Sequence, residues 1–129
     1  MPYSPLGRGF LTGRFQEAVQ FGEGDFRASL PRFQEQALSA NRRIVDLVQA
    51  MATSKGCTPG QLALAWLLAQ GSDIVPIPGT KRLSYLTENV AAADLSLTGQ
   101  EIQDLNESLA SVPVHGERYT EEGMKGLNA

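Results

Sequence analysis

The chain of 129 residues carries 11 Lys and Arg against 14 Asp and Glu, giving a net charge of −3 and a pI near 5.1. That balance gives no overall attraction to nucleic acid or to an anionic membrane, so any anion site must be local. With 42% hydrophobic residues the chain is expected to form one modest domain over 1–129 and is short for two.

The first stretch, Met1 to Leu11, reads MPYSPLGRGFL; Pro5, Gly7 and Gly9 impose a loop, so the chain is expected to open at the end of an element. From Thr12 to Pro31 glycines, charges and phenylalanines mix without a period of two or 3.6, which predicts a long irregular loop of the kind that is a functional lid or a disordered segment. Regularity begins near Ser39 or Asn41. Ile44, Val45, Leu47, Val48, Met51 and Ala52 make an apolar stripe opposite Arg42, Arg43, Asp46 and Gln49, an amphipathic helix closed by Gly56. Cys57 stands alone, which forbids an internal disulfide and fits a reducing, cytoplasmic setting; neither it nor the single histidine, His115, has neighbours at metal-ligand spacing.

Thr58-Pro59-Gly60-Gln61 has a Thr cap, proline at the first helical position and Gln at the third, which predicts a helix start. Leu62 to Leu68 then run apolar nearly all round, so the helix should be well buried, and Gly71 stops it. The stretch Leu62 to Ala69 is far too short to span a bilayer, and the N-terminus lacks a secretory pattern; a soluble protein is expected.

The next stretch organises the rest. Ile74-Val75-Pro76-Ile77 reads as a buried strand apolar on both faces, Pro78-Gly79 ends it, and Lys81-Arg82 enters a helix with Leu83, Leu86, Val90 and Ala93 at helical spacing. Free N–H groups at a helix's first turn attract anions, and two cations beside them favour a phosphate. The plainer reading is a strand-to-helix turn with solvated charges. Thr98-Gly99-Gln100-Glu101 repeats the capping pattern before a helix with Ile102, Leu105 and Leu109 on one face, and Pro113 ends it. The tail from Val114 to Ala129 has no period and predicts a surface-running or partly flexible extension. Several helices with one or two strands cannot complete a sheet, so the pattern is that of a piece of a larger α/β fold.

Three segments together carry a family resemblance: Tyr3-Ser4-Pro5-Leu6-Gly7-Arg8-Gly9-Phe10-Leu11-Thr12-Gly13, the helix from Thr58 to Gln70, and IVPIPGTKR followed by Thr87-Glu88-Asn89-Val90. In order and spacing the chain resembles the last third of the aldo-keto reductases, NADPH-dependent oxidoreductases on a (β/α)8 TIM barrel. The tail, with Glu117-Arg118-Tyr119 and Gly123-Met124, is similar to the pyridoxal-reductase-like or perakine-reductase-like branch. The resemblance implies the last one to two βα units of the barrel plus the C-terminal helix and tail. Tyr3 to Leu6 would end the seventh strand and Ile74 to Ile77 would be the eighth, where such barrels commonly hold a phosphate.

Carried over by position, the resemblance implies NADPH as cofactor. Tyr3 matches the aromatic that stacks on the nicotinamide, and Ser4, Leu6, Gly7 and Arg8 match the loop along the pyrophosphate. Gly79, Thr80, Lys81 and Arg82 match the surroundings of the 2′-phosphate, and Glu88 and Asn89 the pair at the adenine end. Many members place an arginine three residues before that Glu-Asn pair; here it is Tyr85, which leaves the phosphate to Lys81 and Arg82.

The family's hydride transfer uses a Tyr, Lys, Asp and His on earlier strands, and no residue of this chain matches them, so no catalytic or metal residue is assigned. The resemblance therefore implies a cofactor-binding segment that is inactive alone and meets a small carbonyl substrate only in a complete barrel. The alternative is a non-enzymatic product or interaction module that binds phosphate ligands weakly. Apolar surfaces without their barrel partners also predict self-association.

Overall fold

The computed structural model describes residues 1–15 and 21–127; residues 16–20 of the expected loop and the last two of the expected tail lie outside the described residues. Among the described residues five α-helices order the chain: α1 (Glu35–Lys55), α2 (Pro59–Leu68), α3 (Leu83–Ala91), α4 (Gly99–Ala110) and the short α5 (Glu121–Met124). 3-10 turns lie at Gly7–Thr12, kinked at Arg8 and Gly9, and at Phe26–Ser29, Pro31–Phe33 and Ala92–Asp94. α1 packs on α2 and α4, and α2 packs on α3.

α1 begins well before the Ser39 or Asn41 start that the apolar stripe suggests. Its buried positions Leu38, Asn41, Val45, Val48 and Ala52 recur every three or four residues, so the buried face does reach back to the first turns. A polar Asn41 in that face hides the pattern. Buried to 3% exposure, its amide donates to the His115 carbonyl at 2.8 Å and accepts from the His115 N–H at 2.7 Å. The pair satisfies a polar group that would otherwise cost free energy in the interior.

The two predicted capping boxes form as expected. Thr58 accepts from the Gln61 N–H and the Gln61 side chain accepts from the Thr58 N–H; Thr98 and Glu101 do the same for α4. Leu62 of α2 is fully buried with Val48 and Ala52 of α1, and Leu97 and Leu109 close that core.

Two expectations change. Ile74 to Ile77 is extended but forms no regular strand: among the described residues the only parallel pairing is a single bridge between Tyr3 and Ile77, with the Ile77 N–H donating to the Pro2 carbonyl at 3.1 Å. Pro76 and Pro78 on one side and Pro2 and Pro5 on the other carry no N–H to extend a ladder, and Val75 and Ile77 stay half exposed. The described residues of the Thr12 to Pro31 stretch are also more ordered than its lack of period suggests. Phe15 and Phe21 pack with Phe10 and Phe33 over Leu30 and Leu38, the paired rings lying 5.5–6.3 Å apart and mostly edge to face.

The tail is tied down at its start rather than simply running over the surface. Besides the Asn41 pair, Arg32 Nε donates to the Gly116 carbonyl at 3.1 Å. Gly116 has φ +82°, and a Cβ there would meet the backbone of Pro31 and Arg32 at 2.9 Å, so only glycine lets the tail pass this close. Asn41→Ala removes both bonds to His115. It is expected to lower stability in urea unfolding by about 1–3 kcal/mol and to expose the tail to limited proteolysis; an unchanged midpoint and an uncut tail would contradict this anchoring role.

Candidate functional site

The Tyr3–Ile77 bridge sets two turns side by side, Ser4–Gly9 and Pro78–Arg82. The first is conformationally costly. Ser4 (φ +48°) and Arg8 (φ +57°) take left-handed backbone without being glycine, next to Gly7 and Gly9 at positive φ. Such conformations persist where surrounding structure enforces them, and they concentrate at binding sites. Here the Gly7 N–H donates to the Ser4 carbonyl, the Gly9 and Leu11 N–H groups donate to the Leu6 carbonyl, and Arg27 Nη1 donates to the Arg8 carbonyl at 3.3 Å.

Between the turns lies a cavity of about 280 Å³. Of the residues singled out in the sequence it gathers Ser4, Leu6, Arg8, Gly79, Glu88 and Asn89. Gly7 faces a neighbouring cavity instead, and Tyr3 lines an apolar groove against α2 and α4. Thr80, Lys81 and Arg82 are exposed beyond the cavity lining, with the Thr80 hydroxyl bonded within its own turn to the Arg82 carbonyl.

The cavity also holds Tyr85, noted in the sequence as standing at the family's arginine position, and three residues that sequence reasoning did not single out: Arg14, Phe15 and Arg27. Arg14 and Arg27 come from the stretch without a period, where nothing in the sequence signals which cation turns inward. Arg27 is fixed by Asp25, which accepts from its Nη2 at 2.6 Å, and its guanidinium lies 5.1 Å from the ring centroids of both Phe15 and Phe21. The carboxylate of Glu88 accepts from the Thr58 hydroxyl at 2.8 Å, and the Gln61 amide donates to the Glu88 carbonyl, so the α2 cap also positions α3. With Arg27 paired to Asp25, Arg8 and Arg14 stand against the single lining carboxylate of Glu88, which leaves the cavity a net positive charge suited to an anion.

Tyr3 is held from the tail. Its hydroxyl accepts from Tyr119 at 3.0 Å and from Arg118 at 3.2 Å, and these bonds lower its pKa below the usual tyrosine value. The same hydrogen bond from the other end raises that of Tyr119, whose ring also carries the Arg8 guanidinium at 5.0 Å. His115 is exposed and contributes its backbone to Asn41. Burial pushes the Cys57 thiol up, which disfavours the nucleophilic thiolate. Among the described residues no group of three or more His, Cys, Asp or Glu could hold a metal ion, and no helix is long and apolar enough to cross a membrane.

The model of the aldo/keto reductase family matches residues 1–110. The chain belongs to the aldo/keto reductase family. It is 48% identical over 117 residues to an aldo-keto reductase, yakc [NADP(+)], of Schizosaccharomyces pombe, covering 91% of this chain and 34% of that protein. It is 38% identical over 121 residues to the aldo-keto reductase str7 of Strobilurus tenacellus, covering 94% of this chain and 36% of the relative. Among solved structures the glycerol dehydrogenase AKR11B4 of Gluconobacter oxydans superposes with a TM-score of 0.71 at 25% identity, over 89% of this chain and 35% of that one. The chain thus spans about a third of the length of the curated relatives it matches. In this family setting the mostly helical architecture is that of part of the aldo-keto reductase fold.

The Asp25–Arg27 pair sets a pH dependence. The hydrogen bonds from Arg27 lower the Asp25 carboxyl from 3.8 to about 2. The stabilisation is therefore complete above the ordinary carboxylate range and is lost as the pH falls toward 2. Asp25→Asn should remove that component, so the stability difference between the parent chain and the variant narrows between pH 4 and pH 2 in acid titrations of unfolding. A constant difference across this interval would show that the pair does not hold Arg27 in solution.

Proposed function

We propose that this chain is the NADPH-binding C-terminal segment of an aldo-keto reductase that reduces aldehydes or ketones, and that the reacting groups belong to the part of the barrel this chain does not include. The observation that carries the reading is the cavity between the two turns, where Arg8, Arg14 and Arg27 meet residues that match the family's cofactor loops. Its volume, about 280 Å³, suits the phosphate and ribose portion of a dinucleotide rather than all of it. The relative named for NADP(+) supports the choice of cofactor.

When bound, the reduced nicotinamide would supply the hydride for the carbonyl carbon. The residues of this chain bind and orient. Ser4, Leu6, Gly7 and Arg8 follow the pyrophosphate, Glu88 and Asn89 meet the adenine end, and Gly79, Thr80, Lys81 and Arg82 flank the 2′-phosphate. Tyr3, its hydroxyl anchored by Arg118 and Tyr119, presents its ring to the nicotinamide. A cytoplasmic setting and a small carbonyl substrate belong to the same reading. The exposed Val75, Ile77, Leu83, Leu86 and Val90 support a further part of it: they are surfaces that the rest of a barrel would cover, and without it copies of the chain associate through them.

Two outcomes test the proposal. Exchanging Lys81 and Arg82 together for Ala should weaken NADPH binding at least about tenfold, measured by fluorescence titration, while changing NADH much less, because only NADPH carries the additional dianion; equal losses would remove the 2′-phosphate assignment. The purified chain should reduce no aldehyde with NADPH, and turnover should appear when the remaining two thirds of a relative's barrel is co-expressed. Steady turnover by the chain alone, copurifying with it through successive columns, would place a catalytic group among these residues.

A further inference from the structure

A second cavity, of about 300 Å³, adjoins the first turn and shares only Arg8 with the cavity between the two turns. The Gly7–Thr12 and Pro31–Phe33 segments, α1, the end of α4 and the start of the tail wall it with Phe10, Leu11, Phe33, Ile44, Leu109 and Val114. Phe10 and Phe33 meet edge to face with ring centroids 6.3 Å apart, which fixes one wall. The neutral polar side chain in the lining, Asn41, is already bonded to His115 on both sides of its amide. Everything else that is polar there is cationic.

Arg8 and Arg32 both line this cavity, and Arg118 stands close by. Arg32 Nε donates to the Gly116 carbonyl, the Arg8 guanidinium lies over the Tyr119 ring, and Arg118 Nη1 donates to the Tyr3 hydroxyl. Among the described residues the ion pairs are Asp25 with Arg27, Lys55 with Glu101 and Lys125 with Glu122, so none of the three arginines is in one. Burial pushes the Arg32 pKa below its ordinary value, the charges of Arg118 and Arg8 push the same way, and the Glu117 carboxylate opposes them. Three cations and one carboxylate therefore leave an excess of positive charge beside an apolar space.

We infer that this cavity binds a small amphipathic carboxylate, with the apolar body against Phe10, Phe33 and Leu109 and the carboxylate paired with the Arg32 guanidinium. The site is separate from the dinucleotide cavity and does not rest on that reading. A planar carboxylate matches a guanidinium through paired hydrogen bonds, and the pairing gains where water is partly excluded. An apolar cavity of about 150 Å³ accepts benzene, so twice that volume suits one ring with a short side chain or a chain of about eight carbons. An uncharged molecule of that shape would leave the arginine excess unbalanced. A small bare anion would leave the apolar walls in water.

The test titrates octanoate, 1-octanol and acetate calorimetrically into the full 129-residue chain. Octanoate should saturate a single site and bind at least about tenfold more tightly than octanol or acetate. Added salt should weaken octanoate and leave octanol unchanged. Arg32→Gln should bring octanoate down to the affinity of octanol without altering octanol itself, a result that loss of the Gly116 contact alone would not give. Ile44 is only partly buried, so Ile44→Phe can add a ring to the cavity without disturbing the core, and it should weaken octanoate and octanol together. Circular dichroism verifies that each variant is folded. Octanoate that binds no more tightly than octanol, full octanoate affinity in the Arg32→Gln chain, or undiminished binding in the Ile44→Phe chain each overturns the site. So does the absence of saturable octanoate binding, while the cofactor reading stands in every case.

Discussion

One backbone contact, the Ile77 N–H to the Pro2 carbonyl, holds together two segments more than seventy residues apart in sequence. The cavity exists because this contact sets the Ser4–Gly9 turn beside the Pro78–Arg82 turn. A lone bridge is weak by itself, since an isolated pair of short extended segments cannot stand without packing. Support comes from beneath. α2 presents its capped N-terminus to α3 through Thr58 and Gln61, which engage the side chain and the carbonyl of Glu88, and its buried Leu62, Leu64 and Ala65 root it in the helical core. The same capping residues that start one helix therefore set the position of the next.

The first turn adds a second constraint. Left-handed Ser4 and Arg8 cost backbone free energy that a relaxed loop would avoid, of order 1–3 kcal/mol each. What they achieve is placement: Arg8 lines the cavity, its guanidinium lies over the Tyr119 ring, and its carbonyl receives Arg27. Arg8, Arg14 and the Asp25-paired Arg27 meet at one concave surface in a chain of net charge −3, a local excess of positive charge opposed to the global balance, which is the arrangement expected of a site for an anion.

The apolar faces tell of a fold larger than this chain fills. Leu83 is 78% exposed and Val90 62% although both sit on an amphipathic helix, so each has a face made for burial and too little to bury it against. The aldo-keto reductase family match, at about a third of its relatives' length, gives that surplus its reason. Packing that a barrel distributes around a closed sheet is here borne by two smaller clusters, one of phenylalanines around Leu30 and one between α1 and α2.

What the sequence determined by itself was local chemistry. The capping boxes at Thr58 and Thr98, the α1 stop at Gly56 and the start of α3 after Arg82 all depend on neighbours within one helical turn, and all were legible. The motifs that carry the family were legible too, because glycine, proline and charge at fixed spacing survive as text. Tertiary structure decided the rest. A buried Asn41 reads as a break in an apolar stripe until His115 arrives to bond it, and phenylalanines without a period read as loop until they meet one another in space. The apolar run at Ile74 predicted a strand, yet a strand requires a neighbour with free N–H groups, and prolines on both sides leave one bridge. Arg14 belongs to the same class: its contact with the Tyr85 ring joins distant segments, and no short-range pattern encodes the far end of such a contact.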